Sequence, residues 1–117
     1  MKDFSAQFRT LVEAELPKDS RIVMPRGDEG LMILATWRLR AEPFRPAKRS
    51  RMIRITISQE ALEDYAAGSN GTRLAADARF IAWLRAQLAA FDPHHDAPLG
   101  VEPPPATWSV GTLELNG

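Results

Sequence analysis

Polar and apolar positions alternate along this chain with two periods, and each period predicts an element. Phe4, Phe8, Leu11, Val12 and Leu16 recur at helical spacing, while Gln7, Arg9 and Glu13 fall off their stripe. The spacing predicts a helix over residues 3–16, stopped by Pro17, which pushes the residue before it out of the helical region. A short β-prone run follows at 20–24. The segment 25–30 then reads as a turn, with Gly27 and Gly30 free to take positive φ. From 31 to 40 the pattern has period two, with Leu31, Ile33, Ala35, Trp37 and Leu39 facing one way. Residues 41–50 hold Pro43 and Pro46 and read as a loop. Alternation returns at 51–57, where Ile53, Ile55 and Ile57 oppose Met52, Arg54 and Thr56, and β-branched residues at this period predict a strand. Three strands with short connections predict an antiparallel meander.

Ser58 is placed to cap a short helix that carries Ala61, Leu62, Tyr65 and Ala66 inward and ends at Gly68. Thr72 reads as the cap of a third helix running to Phe91. Its main stripe is read as Leu74, Ala78, Ile81, Leu84, Leu88 and Phe91, with Ala76, Phe80 and Trp83 widening it. Residues 92–106 are too rich in proline for regular structure. Residues 108–115 regain β-character and predict a further strand. The expected fold class is α+β: an antiparallel sheet of three or four strands packed by three helices, in the order α-β-β-β-α-α with a late β, over a single domain of residues 1–117.

Composition adds limits. A chain of 117 residues with 44% hydrophobic and 26% charged positions has the length and balance of one globular domain with a real core. There is no cysteine, which excludes disulfides, thiolate metal sites and cysteine nucleophiles. No window of the sequence is apolar enough for a membrane span, and residues 1–5 begin no secretory signal, so a cytoplasmic location and no membrane partner are expected.

Two stretches, residues 53–65 (IRITISQEALEDY) and 103–117 (PPPATWSVGTLELNG), resemble small uncharacterised bacterial domain families of unknown function. The resemblance implies a bacterial, cytoplasmic, single-domain α+β protein. It carries over no site residues.

Charge changes the picture most. The chain is neutral overall, yet the segment 38–54 holds Arg38, Arg40, Arg45, Lys48, Arg49, Arg51 and Arg54 against the lone acid Glu42. If the flanking strands pair, these cations gather at one end of a hairpin. Such a patch attracts phosphate backbones through counterion release, and Phe44 in the loop adds a ring able to stack on a base. The plain alternative is that the outer face of a sheet needs charge and that basic edges discourage aggregation. His94, His95 and Asp96 are the weak metal-ligand candidates, but adjacent histidines suit one ion poorly and no third fixed ligand is evident. Neither a phosphate loop nor a nucleophile elbow is present. Glu60, Glu63 and Asp64 on one short helix read as solvated acids. No cofactor is implied. The leading expectation is a non-enzymatic domain that binds a protein partner or itself, with Phe80, Trp83 and Trp108 as contact candidates. The alternative is nucleic-acid or other polyanion binding through the basic hairpin.

Overall fold

The computed structural model describes residues 4–25, 30–39, 49–95, 98 and 101–117. In chain order the elements are α1 (Ser5–Glu15), β1 (Arg21–Val23), β2 (Leu31–Thr36), β3 (Ile53–Ile57), α2 (Gln59–Ala67), α3 (Asn70–Ala90), β4 (Ala106–Val110) and α4 (Thr112–Asn116). The fold is α+β, with one four-stranded sheet in the spatial order β1-β2-β3-β4. The helices turn their buried residues toward a single face of it.

That face is set by β3. Ile53, Ile55 and Ile57 are each 1% exposed and pack with Ile33 of β2 and Val110 of β4. The helices supply the other half of the core: Phe8 and Val12 from α1, Ala61 and Tyr65 from α2, Ala76, Phe80 and Leu84 from α3, and Leu115 from α4. Burying each large aliphatic side chain stabilises the fold by about 1.5–3 kcal/mol. The strand residues between them, such as Arg54 and Thr56, lie on the opposite face.

The meander is antiparallel as expected: Ile22 sits opposite Ala35, and Ile33 opposite Ile55. The turn before β2 needs its glycine. Gly30 has φ +75°, and a Cβ there would lie 2.2 Å from the Ile57 carbonyl oxygen. Gly27 and the loop residues 40–48, with Pro43, Pro46 and Phe44, lie outside the described residues.

The final strand corrects the expectation. β4 pairs with β3 in parallel, Ile55 opposite Trp108, so the sheet is mixed. The reason is where α3 delivers the chain. Beyond its C-terminus, the Pro93 carbonyl accepts from the Arg51 N–H at 3.0 Å, beside the start of β3. A strand that re-enters there must run the way β3 runs, and the helices between β3 and β4 form the crossover a parallel pair requires. The described residues between α3 and β4 have neither helix nor strand.

A second correction follows at once. The β-character read over 108–115 ends at Val110, and residues 112–116 form a fourth helix. Glu114 accepts from the Gly111 N–H at 3.0 Å, Thr112 donates to Asp64, and Asn116 donates to the Ala61 carbonyl at 3.2 Å. The first caps α4, and the other two fasten it to α2.

The face of α3 is also corrected. Leu74 is 70% exposed and Ala78 is exposed, whereas Ala76, Asp77, Phe80 and Leu84 are buried. The inward face carries an aspartate because Tyr65 Oη donates to Asp77 Oδ1 at 2.7 Å and Gln7 donates to Oδ2 at 3.2 Å. The helix begins at Asn70, and Ser69 rather than Thr72 is its cap, accepting from the Thr72 N–H at 3.2 Å. A surface pair, Arg85 to Glu15 at 2.9 Å, straps α3 to α1.

Two outcomes test this arrangement. Leu115 is fully buried and Leu113 is 79% exposed, although a strand would put both on one face. Leu115→Ala should therefore cost about 2–5 kcal/mol in urea unfolding, and Leu113→Ala no more than about 0.5 kcal/mol. Burial and the bond to Asp77 raise the phenol pKa of Tyr65, the only tyrosine in the chain. A raised folded value means that stability is intact below tyrosine's ordinary value of about 10 and falls as pH rises above it. An absorbance titration should show no tyrosinate in the native protein where free tyrosine ionises. The signal should appear together with alkaline unfolding.

Candidate polyanion-binding face

The strands β1 to β4 contain no acidic residue, and β1 and β3 contribute Arg21 and Arg54. Just beyond the ends of β2 and β3 stand Arg38, Arg49 and Arg51. The helices have the opposite balance, seven acids against four arginines. Among the described residues, the strands and their ends are thus basic, while the helices carry an excess of acid.

Local backbone geometry gathers the arginines. Ala35 lies opposite Ile53, but Arg38 bridges Arg49, so three steps along one arm match four along the other. The extra residue is a bulge, a device that re-aims side chains. Ser50, 5% exposed, holds it: its hydroxyl accepts from the Trp37 N–H at 3.0 Å, and its own N–H donates to the Trp37 carbonyl at 2.7 Å. Arg49 is thereby laid against β2, donating from Nε to Thr36 Oγ1 at 3.1 Å and from an Nη to the Thr36 carbonyl at 3.0 Å.

Thr36 is also the Cα partner of Arg21 on the other side. Around this point an open cleft of about 550 Å³ is lined by Arg9, Asp19, Ser20, Arg21, Ile22, Arg38 and Arg49. Among the described lining residues, four guanidinium groups meet one carboxylate. The Arg85–Glu15 pair is the salt bridge seen among the described residues, so none of these four arginines is neutralised by an acid there. Guanidinium is always charged and presents a planar fork that matches phosphate oxygens.

Of the seven basic candidates in the segment 38–54, Arg38 and Arg49 enter the cleft and Arg54 stands on the outer sheet face. Arg51 turns elsewhere, donating to the Pro104 carbonyl at 3.3 Å with its guanidinium 5.7 Å from the Phe91 ring centre. Arg40, Arg45 and Lys48 lie outside the described residues. Arg9 and Arg21 were not singled out from the sequence. Period two places Arg21 and Val23 on the face opposite Ile22, which is the signal that would have marked Arg21. Arg9 joins only through tertiary packing of α1.

The aromatic contact candidates are engaged within the chain. Phe80 is 1% exposed and belongs to the core. Trp83 is half-buried and stacks on Phe80, with ring centres 5.6 Å apart and an interplanar angle of 29°. Trp108 packs edge-on between Phe91, at 5.4 Å, and Trp83, at 6.4 Å. These contacts dock the segment after α3 and β4 onto their own sheet.

Of the two histidines, His95 serves the same docking. His95 Nε2 is 3.0 Å from the Arg49 carbonyl oxygen, so that nitrogen carries the proton. The His94 N–H donates to Asp92 Oδ1 at 3.0 Å in a local turn. Asp96 lies outside the described residues, and no group of three metal-ligating side chains occurs among the described residues. No described helix is long and apolar enough to cross a membrane.

No known protein family, curated protein or solved structure matches this chain. Function is therefore read from its own surface.

Arg49 and Arg38 should separate in a stability measurement. Arg49→Ala removes two hydrogen bonds and frees the Thr36 carbonyl, for an expected loss of about 1–3 kcal/mol. Arg38 is exposed and makes no side-chain bond to a described residue, so Arg38→Ala should change unfolding by no more than about 0.5 kcal/mol.

Proposed function

We propose that this domain is a non-enzymatic binding module whose basic sheet side takes a phosphate-bearing polyanion, nucleic acid foremost. The observation that carries the reading is the cleft lined by Arg9, Arg21, Arg38 and Arg49 from α1, β1 and both arms of the hairpin, with Asp19 as the one acid among its described lining residues. Unpaired guanidinium groups on neighbouring elements repel one another, and an anion that enters among them relieves that repulsion.

The division of charge supports the same reading. The acidic helix side orients the molecule toward a polyanion, so that encounters favour the sheet. Among its described lining residues no nucleophile is paired with a base, which favours binding over chemistry. Association through Phe80, Trp83 and Trp108 gains no support, because those side chains are already packed against their own domain.

The test is a fluorescence-anisotropy titration with a labelled oligonucleotide at two salt concentrations. Four phosphate contacts imply a salt slope of about −2.8 for a single strand, so a fourfold rise in salt should weaken binding roughly 50-fold. Arg21→Glu with Arg38→Glu should abolish binding without unfolding the domain, since both side chains are exposed. Arg79→Glu, an exposed site on α3, should leave it nearly unchanged. Absence of binding at low salt would refute the proposal.

A further inference from the structure

We infer that the polyanion is single-stranded nucleic acid laid across the outer face of the sheet, with Arg54 as its second anchor beyond the cleft; this rests on the polyanion reading above. The first observation is an orphaned donor. Among the described residues, Nε of Arg54 is buried without a hydrogen-bond partner. A guanidinium cannot shed its proton, and a buried donor without a partner is costly, so an acceptor brought to Arg54 from beyond the described residues would relieve that cost.

Position is the second observation. Arg54 lies opposite Leu34 on one side and Thr107 on the other. Leu34 is two residues along β2 from Thr36, the residue that Arg21 faces and Arg49 grips. Two residues of strand are about 6.8 Å and one strand spacing is about 4.8 Å. Arg54 therefore stands a short diagonal step from the mouth of the cleft, within reach of an extended backbone that leaves it.

The third observation separates single strand from duplex. Around Arg54 the face has an apolar strip: Val23, 50% exposed, lies opposite Leu34 in the same cross-strand row as Arg54, and Met32, 37% exposed, lies opposite Thr56 in the next row away from the cleft. A duplex turns its bases inward and would leave this strip in water. A single strand can place phosphates on the arginines and unstacked bases on Val23, Leu34 and Met32. Duplex readout needs an element that enters a groove, and the helices here pack on the far face of the sheet. Charge complementarity sets the occupant, since the face has guanidinium groups and hydroxyls and its strands hold no carboxylate.

The experiment compares a short single-stranded oligonucleotide, the duplex made from it and inorganic polyphosphate as competitors for one labelled single strand. The single strand should compete about tenfold or more better than the duplex, and better than polyphosphate at equal charge. Arg54→Gln should weaken single-strand binding severalfold, and Arg54→Lys should restore it only in part. Val23→Ser with Met32→Ser touches two exposed positions and keeps the charge. It should narrow the gap between single strand and polyphosphate while leaving polyphosphate binding as it was.

A duplex that competes as well as the single strand, while Arg21→Glu with Arg38→Glu still abolishes binding, would overturn this inference and leave the polyanion reading standing. Polyphosphate equal to the oligonucleotide at equal charge would also overturn it, because no base contact would remain to explain. No binding by any of the three would overturn both.

Discussion

Ile53, Ile55 and Ile57 put three fully buried side chains on one face of β3, and β3 is hydrogen-bonded on both sides. Each flanking strand must match that alternation, because a register slip of one residue would turn its apolar set outward. The helices must then cover the isoleucines, and Phe8, Phe80, Leu84 and Leu115 do so. The opposite face follows as a consequence. Arg54 and Thr56 alternate with the isoleucines, so whatever fills the core also projects a guanidinium and a hydroxyl outward. With the helices gathered on the inner side, none of them covers the outer face of the sheet, whose strands carry arginine and no acid.

The bulge between the arms of the hairpin links that packing to the candidate site. Its anchor, Ser50, is buried against Trp37, and Trp37 packs edge-on against Phe91 with ring centres 5.9 Å apart. Core packing, the docking of the segment after α3 and the placement of Arg49 are therefore joined. His95 at the Arg49 carbonyl and Arg51 at the Pro104 carbonyl extend the same fastening. This is why Arg49 and Arg51, four and two residues from the start of β3, do different work. One reaches toward the cleft, and the other holds down the chain that returns to form β4.

Much of this was legible in the sequence. The period-two run at 53–57 and the helical stripe of Phe8 and Val12 arise from burial on one side, and that constraint writes itself directly into residue order. Other features were not legible, because they depend on distant partners. Asp77 reads as a solvent-facing acid until Tyr65, twelve residues earlier, is seen to donate to it, so the stripe through Leu74 looked the better face of α3. The direction of β4 depends on where a 21-residue helix delivers the chain, which period and propensity do not record. The candidate site was visible in part. A local excess of arginine marked Arg38, Arg49 and Arg54, but their convergence with Arg9 and Arg21 is tertiary. The division of charge between sheet and helices is hidden by a net charge of zero.

That the domain binds through its basic sheet face is the proposal on which the rest turns. Amide chemical-shift mapping during titration with a short single-stranded oligonucleotide tests it most directly. Shifts should cluster at Arg21, Val23, Met32, Leu34, Arg38 and Arg54 and spare α2 and the exposed side of α3. Shifts centred on the helices, with the sheet face silent, would contradict it.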